Sequence, residues 1–102
     1  MISFIVPAHD EAVALPATLA AIRAAGDAAG TPWEVLVVDD ASTDGTARVA
    51  ADAGARVVPV ALRNIGAVRN AGARESRGEL LVFVDADTRI TPSLIAAARE
   101  AD

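Results

Sequence analysis

Four short strand-like runs alternate along the chain with segments of helical periodicity, and this alternation restricts the fold more than any other feature. The runs are Ile2–Val6, Trp33–Val38, Arg56–Val60 and Leu80–Val84. Leu80–Val84 has five consecutive large apolar residues, the pattern of a strand buried on both faces. Pro7 closes the first run because proline cannot donate to a ladder, and Pro59 marks the third as a sheet edge. Between them, Leu15-Pro16 opens a helix whose apolar face carries Leu15, Leu19 and Ile22, with Gly26 or Gly30 ending it. Ser42-Thr43-Asp44-Gly45 is turn and cap chemistry, followed by a short helix over Thr46–Ala53 that stops at Gly54. Arg63-Asn64-Ile65-Gly66 feeds a third helix to about Arg77, with Gly78 as a left-handed cap. Thr91 and Pro92 start a fourth, with Leu94, Ile95 and Ala98 inside. The order β-α-β-α-β-α-β-α predicts a three-layer α/β/α sandwich around a mainly parallel sheet.

Composition narrows the function classes. The 102 residues are 53% hydrophobic, enough for one small Ala-, Val-, Leu- and Ile-rich core, but short for an α/β enzyme. The chain ends while still in helical pattern at Ala101-Asp102, so residues 1–102 read as a single partial domain. A net charge of −5 argues against nonspecific binding to nucleic acid. The nine basic residues are all arginine, which carries no functional implication. There is no cysteine, no basic leader before the first strand and no run of about 20 apolar residues, so a cytoplasmic protein without a membrane segment is expected.

Three runs finish on polar residues: Pro7 through Glu11, Asp39-Asp40, and Asp85 through Asp87. Parallel strands place these ends on one rim, where open α/β sheets bind ligands. Glu11, Asp39, Asp40, Asp85 and Asp87 converging there would repel one another unless a cation or hydrogen-bond donors sit among them. Asp85 and Asp87 could share a hard divalent cation, or form an Asp-rich turn capping the next helix. Asp40 could instead serve an Asx turn, and Arg69 a solvated helix face.

Val6-Pro7-Ala8-His9-Asp10-Glu11, Val37 through Thr46, Asn64 through Gly72, and Phe83 through Asp87 occur in an order and spacing that resemble the family 2 glycosyltransferases. The likeness covers the nucleotide-sugar-binding half of that family, which has the GT-A fold and strand order 3-2-1-4. It implies a donor such as a UDP- or GDP-sugar, a divalent Mn²⁺ or Mg²⁺, and transfer of the glycosyl group to an acceptor hydroxyl. Carried over, Pro7, Ala8 and Glu11 line the nucleoside pocket and Asp40 accepts a hydrogen bond from the base. Asp39 orients the loop, and Arg69 faces the diphosphate. Asp85, followed by Ala86, contacts the ribose or sugar, and Asp87 with Asp85 holds the metal. His9 and Asp10 replace a Tyr-Asn pair frequent in the family, with loop packing and donor contact both open to His9.

The family's general base lies in its second half, so it is expected beyond Asp102, no catalytic residue is assigned, and the isolated chain should bind donor with little or no transfer. The strand Leu80–Val84 would then be an unprotected sheet edge, and self-association through it is expected. Two other readings use the same acidic edge. Phe83 through Thr88 also resembles the DxDxT phosphatase signature, which belongs on the first strand and is accompanied by a lysine that this chain lacks. A nonenzymatic or truncated nucleotide-binding module is the other alternative.

Overall fold

The computed structural model describes residues 1–87. In them β1 (Ile2–Ala8), α1 (Leu15–Ala28), β2 (Trp33–Asp40), α2 (Thr46–Asp52), β3 (Arg56–Val60), α3 (Ile65–Glu75) and β4 (Leu80–Phe83) follow one another. The expected helix after Thr91 lies outside the described residues. The four strands form one sheet in the order β3-β2-β1-β4, every pair parallel. This is the order and three-layer arrangement expected.

One side of the sheet packs α1 and α2 through Leu15, Leu19, Ile22 and Ala50 against Ile2, Phe4, Val6 and Val37. The other packs α3 through Val68 and Ala71 against Ile5 and Val38. Phe4 and Trp33 meet edge to face, with ring centroids 6.0 Å apart.

Four expectations are corrected. Pro7 lies inside β1 rather than closing it, paired with Val38. The N–H and C=O of alternate residues point to alternate neighbours; Ile5 C=O accepts from Val84 N–H, so Pro7 also faces the β4 side. β4 ends opposite Ile5, and the donor that Pro7 lacks has no ladder to enter. Of the two glycines expected to end α1, Gly26 lies within the helix, where a Cβ would stand 2.6 Å from the Trp33 ring. Gly30, at φ +70°, follows the helix end.

β4 is half-buried at Leu80–Val82 and exposed at Phe83, an edge strand rather than one buried on both faces. Gly78 is not a left-handed cap. α3 ends at Glu75, and the chain turns extended at Ser76, ψ 153°. Gly78 instead permits a close crossing, since a Cβ would lie 2.5 Å from the Met1 carbonyl oxygen and 2.9 Å from the Ser3 nitrogen.

That crossing is tied by one carboxylate. Glu34 Oε2 accepts from the Ser3 hydroxyl and the Arg77 N–H, both at 2.6 Å, and Ser3 Oγ accepts from Gly78 N–H at 2.8 Å. Burial pushes the Glu34 carboxyl up, but these two donors and the Arg56 and Arg77 charges outweigh it and hold it below the ordinary range. Glu34→Ala strands the hydroxyl donor of the fully buried Ser3. A loss of about 1–3 kcal/mol in urea unfolding is expected; an unchanged midpoint contradicts this role.

Candidate functional site

The strand order brings the carboxyl ends of all four strands to one rim. There they surround a cleft of about 370 Å³, within the size range of small-molecule sites. It is lined by Pro7, Ala8, His9 and Glu11 after β1, Asp40 on β2, and Arg63, Asn64, Ile65 and Val68 around the start of α3. Asp85, Ala86 and Asp87 after β4 complete it.

Of the five carboxylates expected to converge, Asp39 is not among the lining residues. Successive side chains on a strand point to opposite faces, so Asp39 and Asp40 cannot both enter. Asp39 Oδ1 accepts from Ser42 N–H at 3.3 Å. Among the described residues no group of three or more His, Cys, Asp or Glu side chains could hold a metal ion.

Asp40 is only 7% exposed. Its Oδ1 accepts from Leu62 N–H at 2.8 Å and Arg63 N–H at 3.2 Å, while Oδ2 accepts from Arg63 N–H at 3.0 Å. Across the rim, His9 Nδ1 lies 2.6 Å from the Asp40 carbonyl oxygen. A carbonyl only accepts, so Nδ1 carries the hydrogen and the ring is fixed beside Asp40.

The β1 and β2 loops are stapled to each other. Asp10 N–H donates to Ser42 Oγ and Thr43 N–H to Asp10 Oδ1, both at 2.8 Å. Glu11 N–H donates to Thr46 Oγ1 at 2.9 Å, and Ala12 N–H to Asp44 Oδ2 at 3.1 Å. Asp10, Ala41 and Arg63, the non-glycine residues with positive φ among those described, sit just beyond β1, β2 and β3. Unfavourable backbone is thus concentrated on the rim and held there by these bonds.

Asn64 caps α3 by accepting from Ala67 N–H at 2.9 Å. Arg69 does not line the cleft; its guanidinium stands 3.7 Å from the Asp85 carboxylate. Both side chains are about half exposed or more, so the pair positions Asp85 rather than contributing more than about 1 kcal/mol. Ala86 is buried, and its carbonyl accepts from Thr18 Oγ1 on α1 at 2.5 Å, anchoring the turn that carries Asp85 and Asp87. Sequence reasoning did not single out Thr18, Leu62 or Arg63 for the site. The loop Arg63-Asn64-Ile65-Gly66 feeding α3 was visible, but bonds spanning 22 to 68 residues were not.

Backbone N–H groups of Leu62 and Arg63 hold the Asp40 carboxyl below the ordinary range, and the Thr46 hydroxyl does the same for Asp44. Glu79, 2.7 Å from the N-terminal ammonium, is lowered likewise. A carboxyl lowered by folding adds stability above its unfolded value and loses it as pH falls through its folded value. The urea midpoint should therefore decline as pH falls below about 4.5. A midpoint that rises on acidification would contradict the assignments.

Residues 3–101 match the model of glycosyl transferase family 2. The chain belongs to this family. An undecaprenyl-phosphate 4-deoxy-4-formamido-L-arabinose transferase of Aeromonas hydrophila is 35% identical over 108 residues, covering 99% of this chain and 33% of that protein. The mannosyl-3-phosphoglycerate synthase of Rubrobacter xylanophilus superposes with a TM-score of 0.80 at 31% identity, over 92% of this chain and 33% of that one. The glucosyl-3-phosphoglycerate synthase of Mycobacterium tuberculosis, solved with Mn²⁺, UDP and glucosyl-3-phosphoglycerate, does so with 0.78 at 28% identity, over 94% and 37%. The sheet and its helices are those of the GT-A fold shared by these glycosyltransferases. This family 2 chain spans about a third of the length of the curated relatives it matches. Among its described residues no helix is long and apolar enough to cross a membrane.

Proposed function

We propose that this family 2 chain binds a nucleoside diphosphate sugar in the rim cleft, together with Mn²⁺ or Mg²⁺, for transfer of the sugar to an acceptor hydroxyl. The observation that carries the reading is the cleft itself, with Asp40 toward one end and Asp85 and Asp87 at the other. The donor set fits a divalent ion. Two carboxylates give hard oxygen ligands, too few for a protein-only cage, and phosphate oxygens and water would complete the shell. Such an ion neutralises charge developing on the departing nucleoside diphosphate.

In this reading Asp87 and Asp85 hold the ion, and Arg69 orients Asp85 beside the diphosphate. Pro7, Ala8 and Glu11 wall the nucleoside. Asp40 takes an N–H from the base, and the Ala86 carbonyl contact to Thr18 keeps the acidic turn in place. No residue of the cleft is assigned as acceptor site or general base, so the 102-residue chain is expected to bind donor with little or no transfer activity.

Thermal shift with UDP-, GDP- and dTDP-sugars, each with and without Mn²⁺, tests the reading. Ligand at 100 times its dissociation constant adds about 2.7 kcal/mol, a rise of several degrees in Tm. No rise with any donor in the presence of Mn²⁺ contradicts it.

The reading also carries two placements. The reaction is assigned to the cytoplasm or the cytoplasmic face of a membrane, supported by the undecaprenyl-phosphate in the Aeromonas relative's name; recovery outside both fractions contradicts that. β4 is the outer strand of the sheet and Phe83 is 44% exposed, so copies are expected to pair along this edge. Light scattering that gives a monomer mass at every concentration would overturn the pairing.

A further inference from the structure

We propose that the side of the sheet carrying α3 docks on an anionic lipid surface. The proposal goes beyond donor binding and does not rest on it. The net charge of −5 conceals a segregation. Residues 56–77 carry five arginines and one acid, Glu75, whereas the other described residues carry two arginines and eleven acids. That stretch is β3, the loop after it, and α3 with its exit. Among the described residues α3 is alone on its side of the sheet, since α1 and α2 pack on the other.

Val68, Ala71 and Gly72 are the buried residues of α3, which leaves Arg69 and Arg74 exposed. Arg63 is exposed before the helix and Arg77 after it. The Arg56 guanidinium is tied to the same helix, donating to the Glu75 carbonyl oxygen. Two acids from outside the stretch reach this side. Asp85 pairs with Arg69, and Glu34 faces Arg56 and Arg77. Five arginines against three carboxylates leave the side positive, and Arg63 and Arg74 make no ion pair among the described residues. Asp27 and Asp52, on α1 and α2, stand across the sheet. Charges further apart than the Debye length of about 8 Å are largely screened, so the acidic side does little to repel an anionic surface at α3.

Charge alone would suit any polyanion, and the apolar residues decide for a bilayer. Leu62, 43% exposed, and Ile65, 59% exposed, flank Arg63 and Asn64 where the chain enters α3. Nucleic acid offers such side chains no apolar layer. A membrane interface takes them into the boundary between headgroups and acyl chains and meets arginine with phosphate. α3 has 11 residues, about 16 Å, and packs against β1, β2 and β3, so arginines at its two ends can reach one plane. Ile65 and Arg63 also line the cleft, so docking brings the mouth of the cleft to the lipid surface.

Vesicle flotation of the 102-residue chain tests the proposal. At about 0.1 M salt the chain should float with vesicles that are roughly one-third phosphatidylglycerol in phosphatidylcholine, and not with phosphatidylcholine alone; about 0.5 M salt should release it. One basic side chain near such a surface is worth about fivefold in partitioning, so Arg74→Gln combined with Arg77→Gln should lower it about 25-fold. Both residues are exposed, and the Arg77 N–H keeps its bond to Glu34. Arg23→Gln combined with Arg48→Gln removes the same charge from the α1 and α2 side and should leave partitioning unchanged. Leu62→Ser should lower it about fivefold. Absence of flotation with the anionic vesicles, equal flotation with both lipids, or equal losses in the two arginine pairs overturns the proposal. Single-stranded RNA bound as tightly as the vesicles, with Leu62→Ser neutral toward both, also overturns it by making the face a general polyanion site.

Discussion

Gly72→Val is expected to cost about 3 kcal/mol of folding stability and to lower Tm by roughly 12–24 °C. Gly72 is where α3 lies against the sheet. A Cβ there would stand 2.4 Å from Ile5 Cγ2 and 2.9 Å from Val38 Cγ2. Ile5 and Val38 are fully buried, β-branched and on the two central strands, so neither has a free rotamer to move into. Even alanine, which gains about 1 kcal/mol over glycine in a helix interior, should lose more than that to the overlap. The effect reaches the cleft because the same helix carries Ile65 and Val68 into its wall. A Gly72→Val protein with wild-type urea and thermal midpoints would show that α3 does not pack as described.

Asp87→Ala is expected to remove the Mn²⁺ dependence of UDP binding, so that affinities with Mn²⁺ and with EDTA become equal. Asp87 is exposed, and its removal leaves the Thr18–Ala86 anchor and the Arg69–Asp85 pair in place. The fold should persist, with a thermal midpoint close to wild type. In the proposed site Asp85 alone would then remain to hold the ion, too little for metal-dependent affinity. Metal-dependent affinity that survives in calorimetry would take Asp87 out of the proposed metal site.

The strands were legible because each apolar run is bounded by residues with backbone constraints. Trp33–Asp40 outran its reading by two residues, since the carboxylates that end the apolar pattern still pair with β3. Pro7 misled because proline within a strand is ruled out only where a ladder partner faces it, and which side is empty depends on where β4 stops. Gly26 was one of two candidates, with Gly30, for the end of α1, and Gly78 was read as a cap; Gly26 and Gly78 instead answer to distant groups, the Trp33 ring and the Met1–Ser3 backbone. Such approaches leave no local mark.

The rim followed from the topology and its Pro, Asp and Glu positions. Residue chemistry alone did not divide the labour between Asp39 and Asp40; only the family resemblance did. Asp39 and Asp40 are chemically identical neighbours, and only the pleat sends one to the loop and the other to the cleft. Arg69 follows Val68 by one residue, about 100° around the helix, which carries it from the cleft wall to the Asp85 side. The Leu62 and Arg63 N–H groups reach Asp40 across 22 and 23 residues.

The most direct test of the central claim locates the ligand. In an amide NMR spectrum of the isotope-labelled chain, UDP with substoichiometric Mn²⁺ should broaden the signals of Asp85–Asp87 and His9–Glu11 first. Signals at the opposite end of the strands, from Ser3, Glu34 and Gly78, should stay sharp. Broadening centred on the Ser3–Glu34–Gly78 end, or spread evenly over the acidic surface with no dependence on UDP, would contradict a nucleotide and metal site at the carboxyl ends of the strands.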